Sequence, residues 1–308
     1  MHMWTRHWLH LPLAMLVALG ITGAAAEAEA EATAAEAEAT EAEVEATEAE
    51  AAAVQDDAAP NSGMLGFSAG VDFVSDYYFR GIIQETGGFI AQPFLDASMS
   101  LGPVSITAGT WNSLHSVGDD GFVNEGAPQI YYESDFYAGL GIAAGDMVGI
   151  DLTYTAYMSP RGSWGTTKEV ALGLSFDTFA APYATFAFEA AGGADGGPNE
   201  GSYVEIGFEP GVPLEDAPVS LSFPVTFAAS MSNYFEYQND MGVWSDGAGG
   251  FFSIGASLGV PLPVPEEYGS WDLAVGVNAL MFSESVKILN GEDKGAKVIG
   301  LFGISLGY

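Results

Sequence analysis

From Met64 onward the chain alternates large apolar residues with small or polar ones at a period of two, run after run. In 148–157, Val148, Ile150, Leu152, Tyr154 and Ala156 alternate with Gly149, Asp151, Thr153, Thr155 and Tyr157. In 203–209, Val204, Ile206 and Phe208 stand against Tyr203, Glu205, Gly207 and Glu209. Alternation at this period is the mark of a strand with unlike faces, not of a helix. Twelve runs are legible, near 65–79, 88–100, 103–112, 128–142, 146–158, 167–177, 181–190, 202–209, 217–230, 250–260, 270–283 and 296–308. Most are long enough to cross a bilayer as tilted strands, which takes about 9–11 residues each. No stretch after the first twenty-six residues is apolar enough for a spanning helix. Yet 48% of the chain is hydrophobic and the mean hydropathy is +0.20, so apolar surface must be placed by strands.

The connections alternate in length. The second, fourth, sixth, eighth and tenth are turns, such as Gly102-Pro103, Ala144-Gly145 and the stretch around Pro261, Pro263 and Pro265. Most odd-numbered ones are longer and rich in Gly, Asn and Asp: 113–127, 191–201, 231–249 and 284–295. Bacterial outer-membrane barrels have an even strand number, short periplasmic turns and longer outer loops. A soluble β-sandwich would also alternate, with its apolar face inward. Recurrent Gly in strands (Gly is 40 of 308 residues) and a small or polar second face favour a wet lumen. The expectation is therefore an all-β, antiparallel up-and-down transmembrane barrel of about twelve strands, ten and fourteen being open. Tyr77, Trp111, Trp271 and Tyr308 fit interfacial aromatic girdles. The last run places Val298, Gly300, Phe302, Ile304, Leu306 and Tyr308 on one face. A terminal aromatic strand of this kind is similar to the signal read by the barrel-assembly machinery, an expected partner.

Before the barrel, residues 64–308, come two other segments. Residues 1–26 read as a cleaved signal peptide: Arg6 and three His, an apolar run from Leu11 to Ile21, then Ala24-Ala25-Ala26. Residues 27–63 form a low-complexity Ala/Glu spacer. Its twelve acidic residues have no basic partner and its only large apolar residues before Met64 are Val44 and Val54, so it carries no core of its own. Export to the outer membrane follows as the expected localisation.

Composition excludes several chemistries. Cysteine is absent, which removes disulfides, zinc thiolates and a Cys nucleophile. A formal charge of −34 with seven Lys and Arg is the wrong sign for a nucleic-acid binder. Beyond the signal, His115 is the single histidine; Ser113, Ser116, Asp119 and Asp120 surround it in what reads as a Gly/Asp loop. A catalytic triad needs a third group orienting the base, and the expectation is no enzyme. The acidic loops around Asp119-Asp120 and Gly193–Gly197 do not match the calcium-loop pattern, so no metal and no cofactor is expected.

The segment Ser75-Asp76-Tyr77-Tyr78-Phe79-Arg80-Gly81-Ile82-Ile83-Gln84 resembles the opening strand of the TorF-type porins of proteobacteria, where an S-D-Y-x-F-R-G-x-x-Q stretch follows the signal region. The resemblance implies an outer-membrane barrel of porin function and supplies no substrate; the Ala/Glu tract departs from it. Read as a strand, the segment puts Phe73, Ser75, Tyr77 and Phe79 toward lipid, and Asp72, Val74, Asp76, Tyr78 and Arg80 toward the lumen. Arg80 then faces either a selectivity role at a constriction or a structural ion pair, with Asp96 or Asp72 as partner.

Lumen charge points to the function. Asp72, Asp76, Asp96, Glu133, Asp135, Asp151, Glu169, Asp177, Glu189, Glu205, Glu209 and Asp272 share the second face, opposed by Arg80, Lys297 and Lys287. Of these, Arg80, Asp72, Asp76, Asp96, Asp151, Glu169, Glu205 and Asp272 are the selectivity candidates. Acidic linings favour cations. Trp111, Tyr131, Tyr137, Tyr157, Tyr183 and Tyr203 on the same face either fill a narrow barrel or form a sugar slide. The expectation is a passive, cation-preferring diffusion channel for small solutes in outer-membrane lipid. The alternative is a closed anchor barrel with the acidic tract as a periplasmic tether.

Overall fold

A computed structural model describes residues 63–116, 130–213, 219–291 and 295–308. The expected signal peptide, the spacer through residue 62, and Asp119 and Asp120 lie outside the described residues. In chain order the strands are β1 (Leu65–Val74), β2 (Tyr77–Phe79), β3 (Ile82–Glu85), β4 (Ile90–Leu101), β5 (Val104–His115), β6 (Tyr131–Ala144), β7 (Val148–Met158) and β8 (Thr167–Phe176). There follow β9 (Tyr183–Ala191), β10 (Ser202–Phe208), β11 (Gly211–Pro213), β12 (Ser220–Ser222), β13 (Val225–Ser232), β14 (Gly250–Pro261), β15 (Ser270–Phe282) and β16 (Ala296–Gly307). One short helix, α1 (Glu284–Leu289), precedes the last strand.

All strands but β2 and β3 form one antiparallel sheet that closes on itself. β1 pairs with both β4 and β16, and β14 pairs with β15. β11 prolongs β10 and β12 leads into β13, so the wall has the twelve staves that the alternation implies. Each stave falls within a few residues of its expected run. Closure leaves no edge strand, so the backbone of every stave is paired on both sides.

Side chains point as the alternation requires. Outward stand Phe67, Leu95, Ile106, Phe136, Leu152, Phe188, Ile206, Phe227, Val275 and Val298, all strongly exposed. Inward stand Thr107, Asp151, Thr153, Glu169, Thr185, Glu205, Thr226 and Ser253, all buried. An apolar outside and a polar inside invert the order of a soluble barrel and suit hydrocarbon. Trp271 and Tyr308 take the outward positions expected of a girdle. Tyr77 and Trp111 do not: both are buried inside the barrel.

One expected strand is shorter than its run. β1 ends at Val74 rather than 79, and the chain turns inward as the β2–β3 hairpin. Tyr77, Tyr78 and Phe79 are consecutive and all buried. A segment bulky on both faces has to be covered on both, and only the lumen offers that. The turn at Arg80-Gly81 has positive φ at both residues, 47° and 82°, the signature of a type I′ hairpin. A Cβ on Gly81 would come within 2.9 Å of the Phe251 ring.

A second departure is at Tyr131. The β5–β6 ladder slips between Ser113 and Leu114, which inserts an extra residue in β6. A bulge moves side chains beyond it to the other face. Tyr132 therefore packs inside, its ring stacked on His115 at 4.3 Å. Tyr131 is exposed instead, its hydroxyl donating to Asn112 Oδ1 at 2.7 Å, and it is no part of a lumen slide.

Phe302 sits mid-strand on the outward face of β16. Phe302→Arg should lower the stability of the barrel refolded in lipid vesicles by about 2–4 kcal/mol, whereas Ser305→Thr, two positions from Gly303 on the inner face, should change it little. Urea titration by tryptophan fluorescence reads both; equal effects would overturn the assignment of faces.

Candidate functional site

The interior is not uniform along the barrel axis. At the end carrying the short turns, the inward Ser68, Gly70, Asp72, Asp96, Ser98, Asp272, Ala274 and Gly276 of β1, β4 and β15 are small or polar and only half-buried, while Phe94 lies over Gly70 and Thr107 and Ser257 beside them are buried. Toward the end carrying the long connections they are buried, and on every one of the twelve staves. Val74, Gln92, Ser113, Asp135, Tyr157 and Glu169 continue through Ala187, Tyr203, Ala228, Phe251, Leu280 and Ile299. The β2–β3 hairpin fills the centre of that ring. The lumen is thus a polar vestibule ending against a stopper.

The stopper is held from many directions. Arg80, at its tip, donates from Nη1 to Glu169 Oε2 at 2.5 Å and from Nη2 to Glu169 Oε1 at 2.8 Å. Nη1 also donates to the Tyr234 hydroxyl at 2.8 Å. The guanidinium lies 4.5 Å from the Tyr203 ring centroid, 5.1 Å from Phe79 and 5.6 Å from Tyr234. Tyr157 donates to Glu169 Oε1 at 3.1 Å. Arg80 is 5% exposed and Glu169 2%, so the pair has exchanged water for a planar, two-pronged match and aromatic faces. The partner expected of Arg80, Asp96 or Asp72, is not the one found. Once β1 stops at Val74, Arg80 leaves the wall and crosses to β8.

Other contacts fix the rest of the hairpin. Tyr77 donates to Glu133 Oε2 at 2.7 Å and packs on Trp111. Tyr78 stacks on Phe282, and Phe79 meets Tyr157 edge-on. Asn290, just after α1, accepts from Ile83 N at 2.9 Å and donates to the Gly81 carbonyl at 2.8 Å. Tyr132 donates to Gln84 Oε1 at 2.6 Å. Asp76 pairs with Lys297 Nζ at 2.8 Å, which brings the second expected lumen cation to the hairpin's base. Lys287 lies on α1 and pairs with exposed Glu284 at 2.6 Å, so it does not offset the lumen acids.

The remaining site candidates separate into two levels. Glu205 sits beside the tip, accepting from Tyr203 at 2.5 Å and Tyr183 at 2.8 Å. Asp96 lies in the vestibule and accepts from Ser68 Oγ at 3.1 Å and from Tyr137. Asp151, near the short-turn end of β7, is buried, while Asp72 and Asp272 are half-buried in the vestibule. Tyr234, the fourth group around Arg80, was not among the expected residues; it lies in a loop where no alternation marks it.

Two long connections roof the stopper. Glu236 accepts from Asn199 N at 3.1 Å and Nδ2 at 2.7 Å, and Asp195 accepts from Gly197 N and Glu236 N. Burial in this roof pushes the Asp195 carboxyl up to about 6.

His115 ends β5 rather than lying in a loop, and is buried. Ser113 Oγ is 2.9 Å from its Nε2, and Glu85 Oε2 is 3.8 Å from its Nδ1. That order is the one a serine hydrolase uses, but Ser113 is fully buried behind the hairpin, where it meets no substrate in this conformation. No helix among the described residues is long and apolar enough to cross a membrane, which does not bear on strands.

A family model described as a bacterial protein of unknown function (Gcw_chp) matches residues 57–262. No curated protein matches the chain. Among solved structures, the NanC porin is 10% identical, covering 79% of this chain and 98% of its own, at a TM-score of 0.41. The translocator domain of the autotransporter NalP from Neisseria meningitidis is 12% identical, covering 80% and 89%, at 0.37. Outer membrane phospholipase A from Escherichia coli is 14% identical, covering 78% and 92%, at 0.36. These likenesses are slight, and the architecture rests on the strand register above.

Removing one partner strands the other charge in the interior. Glu169→Ala should destabilise the folded barrel by about 3–5 kcal/mol, and Tyr234→Phe by about 1.5–3 kcal/mol, the range of a hydrogen bond to a charged group. Urea unfolding in detergent micelles measures both; a Glu169→Ala barrel as stable as the parent would show that Arg80 is not held as described.

Proposed function

The chain belongs to the Gcw_chp family of bacterial proteins of unknown function, and from that premise we propose that it is an outer-membrane, porin-like diffusion channel with a preference for small cations. The observation that carries this reading is the charge of the interior. Asp72, Asp96, Asp151, Glu205, Glu209 and Asp272 face inward together with Glu133, Asp135, Glu169 and Glu189. The inward cations among the described residues are Arg80 and Lys297, each already engaged by a carboxylate. A low-dielectric wall focuses such a field and draws cations into the vestibule.

In this conformation the hairpin closes the lumen, so conduction requires it to shift. The resemblance of SDYYFRGIIQ to the TorF-type porin motif is in keeping with the channel reading, and that segment supplies the hairpin that forms the stopper. No catalytic role is assigned: Ser113 and His115 belong to the wall stave β5, and His115 packs against Tyr77 and Glu85 of the stopper. The C-terminal strand ending in Tyr308 is the proposed contact with the assembly machinery. The leader at 1–26 and the acidic tract at 27–63 are the proposed export signal and periplasmic spacer.

The sealed ring of buried side chains favours one competing reading, a closed anchor barrel. Single-channel recording separates the two. In planar bilayers under a KCl gradient, the parent barrel should conduct briefly or weakly. A barrel in which residues 77–85 are replaced by two glycines should conduct steadily, with a cation-selective reversal potential. A folded, heat-modifiable deletion barrel without current would establish the anchor, and an anion-selective current would overturn the role of the acids.

A further inference from the structure

The groups that surround Arg80 are, with the exception of Phe79, not part of the hairpin that carries it. Glu169 comes from β8, Tyr157 from β7, Tyr203 from β10, and Tyr234 from the connection after β13. These parts are fixed by bonds that do not involve Arg80. Tyr203 is tied to Glu205, Glu205 to Tyr183, and Tyr183 to Thr226 at 3.0 Å. The Tyr234 backbone N–H donates to Ser230 Oγ at 3.1 Å, and Tyr234 packs on Phe235. Withdrawal of the hairpin therefore leaves a formed cage: one carboxylate, one hydroxyl, and the faces of two tyrosines.

The cage reads only the far end of the arginine. Nη1 and Nη2 are engaged, whereas buried Nε has no hydrogen-bond partner among the described residues. The contacts made are those that any alkylguanidinium could present end-on. A carboxylate that accepts two parallel N–H bonds is specific for a planar fork, and aromatic faces at 4.5–5.6 Å add attraction for a desolvated cation.

The cage also cannot stand empty at low cost. Glu169 is paired across the ladder with Glu189, and Glu133, Asp135 and Glu205 are buried near the same level. Removing Arg80 leaves Glu169 an uncompensated buried charge. Departure of the hairpin is thus coupled to arrival of another cation.

The geometry points to a guanidinium-binding site in the lumen, built from Glu169, Tyr234 and Tyr203 and occupied by Arg80 at rest. Its ligands are solutes bearing a guanidinium group, which enter from the acidic vestibule and exchange with Arg80. This deepens the channel reading, and rests on it only in calling the ligand a solute. Binding itself can be read without any current, so the two ideas fail separately.

The test is chemical rescue. Arg80→Ala in the full chain, refolded in detergent, should unfold at a lower temperature than the parent. N-ethylguanidinium chloride should raise its midpoint by several degrees in a saturable manner. N-ethylurea, a neutral molecule of the same shape, and KCl at equal concentration should not. The double variant Arg80→Ala/Glu169→Gln should not respond. Equal stabilisation by KCl, or an unchanged response in the double variant, would overturn the site, as would no response in a folded Arg80→Ala barrel. Should Arg80→Ala fail to fold, Ile82→Cys in the otherwise cysteine-free chain poses the same question. N-ethylguanidinium, and not N-ethylurea, should accelerate maleimide labelling of that buried hairpin position; equal rates would overturn the exchange.

Discussion

Pairing of β1 with β16 is the contact on which everything else depends. It runs from Ser68–Gly307 to Val74–Leu301 and makes a ring of what would otherwise be an open sheet with two bare edges. Closure satisfies the backbone internally and so frees side chains to divide by face, apolar outward and polar inward. It also defines an interior, and with it the possibility that a segment of chain be placed there. The hairpin follows directly after the closing contact: Ser75 N–H donates to the Gly300 carbonyl at 3.0 Å, and the chain then leaves the wall.

What fills the interior differs from an ordinary core. The stopper combines aromatic packing, in Tyr78 on Phe282 and Phe79 on Tyr157, with charges that are matched individually. Arg80 meets Glu169, and Asp76 meets Lys297. Several carboxylates are instead held by hydroxyl donors, Glu133 by Tyr77 and Glu205 by two tyrosines. Tyrosine is suited to this role, offering a large apolar body and one donor at its tip. The lumen tyrosines therefore serve the acids as well as filling space, which explains why acids and tyrosines recur together on the inner face.

The fold was legible because alternation is a local property. Val204, Ile206 and Phe208 announce an outward face without knowledge of any other strand, and the same holds along all twelve staves. The site was only partly legible because its contacts are not local. Arg80 stood out as one of few cations, yet Glu169 lies 89 residues away and becomes its neighbour only through the closed register. The signal that SDYYFRGIIQ leaves the wall was present in the three consecutive aromatics followed by Arg-Gly, where alternation breaks. Continuing the strand through them produced the wrong faces for Tyr77 and Phe79. The misplaced Tyr131 has a different origin: a one-residue bulge is invisible in a period-two pattern until its partner strand is known.

The hairpin belongs to the first hundred residues, but its anchors are spread along the rest of the chain. From Arg80 to Tyr234 is 154 residues, and from Gly81 to Asn290 is 209. Such distant contacts form late, since each requires the intervening loop to be closed first. Asn290 and Lys297 are in place only when α1 and the last stave have formed. The final stave thus adds the last charged tie: a ring lacking it has no Lys297 for Asp76 at the hairpin's base. A fully anchored stopper therefore joins the first stave's neighbour in sequence to the last stave of the ring.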